Sequence, residues 1–63
     1  MEDWQQRVVD EAKDLGGKLD RLTAFFNTEA FAKLEAEARS LMREQAVHMQ
    51  GYLRTLQDRI ERF

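Results

Sequence analysis

Between Ala38 and Phe63 the residues Ala38, Leu41, Gln45, Met49, Tyr52, Leu56, Ile60 and Phe63 recur at steps of three and four. That is the period of an α-helix seen from one face, and no stretch of the run alternates at the period of two that a strand requires. No proline interrupts the run, and its Leu, Met, Gln, Arg and Glu residues all favour helix. At 1.5 Å per residue it predicts a rod of about 39 Å. Met42, Ala46 and Leu53 widen the face on one side. A seam for one partner needs about two apolar positions in seven, so this helix is expected to touch more than one neighbour.

The remainder of the chain supplies one neighbour. Trp4, Val8, Ala12, Leu15, Leu19, Leu22 and Phe26 also step by three and four, which predicts a first amphipathic helix over about 3–26 with Asp3 as its N-cap. Asn27-Thr28 is the clearest punctuation, since both are capping types and neither favours a helix interior. A short helix over about 28–35 should follow, with Phe31 and Leu34 inward, and then the long helix over about 36–62. Whether Glu35–Glu37 is a joint or runs on into the long helix is open at this stage. The fold class is all-α: an antiparallel two-helix hairpin with a short connecting helix, one domain over 1–63. If the hairpin closes so, Leu22 meets Met42, Val8 meets Leu56, Trp4 meets Ile60, and Gly16-Gly17 falls opposite His48 and Met49. Two adjacent glycines inside a helix are costly, which leaves a kink, a close backbone approach or a tolerated weakness, with a hollow expected beside Gln45, His48 and Tyr52.

A chain of 63 residues is marginal on its own, and with no cysteine it has no disulfide to staple it. Association is the remaining route, so a homo-oligomeric helical bundle is expected. One histidine cannot build a zinc site without several carboxylates, and no metal or cofactor is expected. The N-terminus is acidic and no apolar run reaches the length of a membrane span, so the reading is a soluble, cytoplasmic protein. The net charge of −2 argues against a nucleic-acid polymer or an anionic membrane as partner.

That charge is unevenly spread. Residues 1–37 carry a net −4 and residues 38–63 a net +2, and every cation of the second part is arginine. The arginine fork grips phosphate or carboxylate with two hydrogen bonds. Arg39 and Arg43, four apart, can clamp a phosphate or pair with Glu35 and Glu44. Arg54 is a third candidate. His48 and Tyr52 share a helix face and can stack on and bond a planar ligand, or sit as an interfacial histidine beside a core-edge tyrosine. Trp4 can stack on a base or cap the open end of the hairpin. Lys18 and Arg21, beside the double glycine, read as solvent-exposed. There is no nucleophile elbow, phosphate-binding glycine loop or metal-ligand spacing, so no enzyme is expected.

The pattern Trp4-(x)2-Arg7-Val8-(x)2-Glu11, Leu15-(x)3-Leu19-(x)2-Leu22-(x)2-Phe25, Phe31-(x)2-Leu34 and Leu41-Met42-(x)2-Gln45-(x)3-Met49-(x)2-Tyr52-Leu53-(x)2-Leu56-(x)2-Arg59-Ile60 covers nearly the whole chain. It resembles a family of small helical-hairpin proteins encoded by tailed bacteriophages, including crAss-like phages. That family is similar in size and form to phage sponges that sequester the cyclic-nucleotide signals of CBASS and Thoeris defence without cleaving them. The resemblance implies a compact homo-oligomer in the host bacterial cytoplasm, with ligand pockets between subunits, phosphates held by Arg or Lys and a base stacked on an aromatic ring. The sponge hairpins carry an Ala-Arg-Thr-His run on the last helix where this chain has Arg54-Thr55 in another setting. Binding residues therefore do not transfer one for one, and Trp4, Arg39, Arg43, His48, Tyr52 and Arg54 are candidates by chemistry. Two other functions fit the same hairpin: an interaction module that inhibits a host protein, and a structural phage accessory protein.

Overall fold

The computed structural model describes residues 1–63 as three helices in chain order: α1 (Asp3–Phe25), α2 (Glu29–Ala32) and α3 (Ala36–Glu61). α1 and α3 pack antiparallel into a rod of 46 × 15 × 13 Å, and α2 closes one end. At the other end the Trp4 and Phe63 rings meet edge to face, with centroids 5.2 Å apart and planes at 78°.

α1 starts at Asp3, where it was expected, but its cap differs. Glu2, not Asp3, is the extended N-cap, and its N–H donates to Gln5 Oε1 at 2.8 Å. The inward stripe is the expected one: Val8 is buried, and Ala12, Leu15, Leu19, Leu22 and Phe26 are half-buried. Trp4 is the departure, because it lies at the open end and is about half exposed.

The joint is built from caps. Thr28 is extended, and its hydroxyl accepts from the Phe31 N–H at 3.2 Å and donates to the Phe25 carbonyl at 2.7 Å. Glu35 is extended again, with ψ 157°, which separates α2 from α3 and settles the point the residue pattern left open. α2 is a single turn, shorter than the span expected for it. Its last carbonyls would lack partners. Arg39 supplies them, donating from Nη1 to the oxygens of Leu34 and, at 3.2 Å, Ala32. Phe31 is buried beneath this joint against Phe26, at a centroid distance of 4.9 Å, and Phe25, at 5.8 Å. Arg43 lays its guanidinium over the same ring, 5.1 Å from the centroid.

α3 is where the sequence pattern and the packing part. The residues that face α1 are Met42, Ala46, Met49, Leu53, Leu56 and Ile60, all buried or half-buried. Leu41, Gln45, Tyr52 and Phe63, four members of the expected stripe, are exposed. At about 100° per residue, the hairpin face lies roughly 45° around the helix from the centre of the sequence stripe. The long-range register differs too. Gly16 faces Leu53 rather than His48 and Trp4 packs on Phe63 at the end of the rod, while Tyr52 bonding Glu11 keeps the expected register there.

The glycines therefore need another account. None has positive φ, and α1 runs through Gly16-Gly17 without a break. A Cβ on Gly16 would meet Leu53 Cδ2 at 3.9 Å, an ordinary contact, so no close backbone approach holds the residue there. A Cβ on Gly51 would meet nothing within 4 Å. Gly51→Ala is expected to raise stability by about 1 kcal/mol through helix propensity alone, read as a higher urea midpoint with an unchanged slope. A loss of stability would contradict open space at that position.

Candidate functional site

α3 separates the candidate residues into two edges. Arg43 and Arg54 project from one side, His48 and Tyr52 from the other, because their positions fall on opposite flanks of the stripe that faces α1. The surroundings follow this division. Arg43 lies with Leu19, Thr23, Phe26 and Val47, and Arg54 with Leu19, Val47, Gln50 and Gln57, along one side of the hairpin. Tyr52 lies on the other side, against α1.

On the Tyr52 edge an open groove of 390 Å³ runs between the helices, lined by Arg7, Asp10, Glu11, Asp14, Leu15, Lys18 and Tyr52. Its volume falls within the range of small-molecule sites. The Tyr52 hydroxyl donates to Glu11 Oε2, which fixes the ring across the junction of the two helices with about half its surface open. Leu15 forms the apolar part of the floor. Arg7 and Lys18 stand eleven positions apart on one flank of α1, about 16 Å along the axis, so they bracket the groove at its two ends. An open ring between two separated cations can stack on a planar group and pair with anionic groups at either end.

The other candidates are placed as follows. Arg39 is committed to the carbonyls at the end of α2 and does not pair with Glu35. Arg43 is engaged with the Phe31 ring. His48 is mostly exposed, and its Nε2 lies 3.6 Å from Glu44 Oε1. No hollow forms between the double glycine and His48; the groove is displaced to the α1 side of Tyr52. Trp4 packs on Phe63 at the end of the rod and shares a shallow pocket with Arg7, the residue at that end of the groove. Lys18 was singled out beside the double glycine and read as solvent-exposed, and Arg7 is the groove cation that sequence reasoning gave no role. Both read as solvated charges among acids, and what marks them is that they share a flank with Glu11, on which Tyr52 closes.

No group of His, Asp and Glu side chains is gathered closely enough to hold a metal ion. No helix is long and apolar enough to cross a membrane.

No curated protein and no solved structure matches the chain. A family model does: that of Sequestin, over residues 2–62. The match takes in both long helices, the joint and every groove residue, and on that coverage the chain belongs to the Sequestin family.

Proposed function

We propose that the protein sequesters a cyclic nucleotide immune signal, binding it intact and withholding it from its receptor. The family name carries the coarser half of this reading, a protein that binds without converting. The observation that supports the finer half is the Tyr52 groove, where a half-open aromatic ring lies between two cations at its ends, with the carboxylates of Asp10, Glu11 and Asp14 between them. In this reading Tyr52 stacks on the base, Arg7 and Lys18 take the phosphates, and His48, one turn before Tyr52 on the same edge, borders the site. Glu11 holds the tyrosine and Asp14 is available to ribose or base hydrogen-bond donors. Arg43 and Arg54, on the far edge, would reach the same ligand only from another copy of the chain.

The test is a thermal shift against a panel of cyclic di- and trinucleotides and cyclic ADP-ribose isomers. A member present at 100 times its Kd stabilises the fold by about 2.7 kcal/mol, which in a domain of this size is a rise of more than 10 °C. Arg7→Ala, Lys18→Ala and Tyr52→Ala should each abolish most of that rise. Tyr52→Phe should keep most of it, since the ring is retained. Loss of the rise in Arg43→Ala or Arg54→Ala, with Arg7→Ala unaffected, would move the phosphate site to the other edge. No shift with any member, from a well-folded protein, would overturn the reading.

A further inference from the structure

Gly51 is a residue of α3 that the fold does not explain. A glycine inside an exposed helix is costly, and a Cβ added at this one would meet nothing within 4 Å. At Gly16 and Gly17, by contrast, it would touch the side chains of Leu53 and Arg21. Gly51 is also the one glycine that lines a cavity, an open groove of 550 Å³ on the edge of the hairpin away from Tyr52. A local rule broken with no return to the fold is expected where a site is built. The groove has a floor of half-buried Leu19 and Leu53. Val47, Gln50, Arg54 and Gln57 form its α3 flank, at helical steps of three, four and three. Between Val47 and Arg54 the missing side chain of Gly51 leaves a bare patch of backbone. Arg54 is the only charge in the lining, whereas the Tyr52 groove holds the carboxylates of Asp10, Glu11 and Asp14.

We propose that this groove is a second binding site, which takes a nucleoside monophosphate with its base flat on the bare backbone at Gly51 and its phosphate on Arg54. The ion pairs of the chain are Lys33 with Glu29 and His48 with Glu44, so the Arg54 fork is free for a phosphate. One unopposed cation matches one phosphate group. The base is placed by what is absent: a planar ring reaches the helix surface only where no side chain stands between Val47 and Arg54. Its edge falls within reach of Gln50 and Gln57, both exposed, about 10 Å apart along the axis with Arg54 between them. An amide offers a donor beside an acceptor, the pairing that N6–H and N7 of adenine require, so adenine is the base this flank matches. The volume is that of a small-molecule site. The groove shares no lining residue with the Tyr52 groove, so it holds a ligand of its own and does not rest on the function proposed above.

The test is a titration of isotope-labelled protein with adenosine 5′-monophosphate, followed by amide resonances. The largest shifts are expected at Val47, Gln50, Gly51, Arg54 and Gln57 and in the two glutamine side chains, with a Kd on the order of 1 mM. Adenosine and inorganic phosphate each carry half of the ligand and should bind at least about tenfold more weakly. Gly51→Leu separates binding from folding. It meets open space, so it should raise the urea midpoint while weakening the nucleotide about tenfold. Arg54→Gln should weaken the nucleotide by a similar factor and leave the midpoint in place. Full-strength binding by Gly51→Leu would overturn the proposal. So would inorganic phosphate binding as tightly as the nucleotide, which would mean an adventitious ion only. Shifts centred on Tyr52, or none at about 10 mM nucleotide, would overturn it too. The cyclic-nucleotide thermal shift, read through Arg7→Ala, stands or falls apart from all of these.

Discussion

Phe31→Ala is expected to cost about 3–5 kcal/mol, which is most of the stability a core this small supplies. Phe31 is 2% exposed and comes from a helix of one turn that cannot hold itself together. Its ring is the common contact of Phe25, Phe26 and the Arg43 guanidinium. Each aromatic pair adds about 0.5–1.5 kcal/mol beyond its area, and the cation about 0.5–1 kcal/mol. Removing the ring therefore loosens α2 from α1 and α3 together. Urea titration followed by circular dichroism should show a chain largely unfolded at 25 °C, while Phe31→Leu should keep much of the stability. A midpoint for Phe31→Ala close to that of the unmodified protein would show that the joint does not hold the hairpin shut.

Leu56→Ala is the second large effect, at about 2–5 kcal/mol. Leu56 is 1% exposed, the most buried side chain in the chain, and lies on α3 on the same end of the rod as buried Val8. The two losses differ in character. Phe31 sits where the chain turns, whereas Leu56 sits on the open half, where only side chains join the helices. Loss of Leu56 should fray the open half first, so hydrogen exchange in residues 3–10 and 55–62 should rise before exchange near the joint. Uniform loss of protection along both helices would mean that the hairpin melts as one unit.

The hairpin was legible because period, caps and breaks agree. α1 shows one stripe for one neighbour, and Thr28 announces the joint with a side chain that can only be a cap there. Glu35 could not be read in advance. Its extended backbone goes with Arg39 reaching back over the joint to the Leu34 and Ala32 carbonyls, at spacings of five and seven residues that no helix or turn pattern marks. The α3 face was read about half a bundle corner away from α1. The candidate site was legible by residue type and not by direction. Tyr52 and the arginines were singled out together, yet helix geometry sends Arg43 and Arg54 to the edge opposite Tyr52. Arg7 was given no role and Lys18 was read as solvent-exposed because a cation among acids on a helix surface is the ordinary solvated case, and only the position of Tyr52 across the groove sets them apart.

The most direct test of sequestration is to incubate the protein with the cyclic nucleotide that shifts its melting temperature, remove free ligand, denature, and weigh what is released. Recovery of the unaltered nucleotide in stoichiometric amount, lost in Tyr52→Ala, is the expected result. Release of a cleaved or modified product, or of nothing, would contradict a protein that binds its signal and leaves it intact.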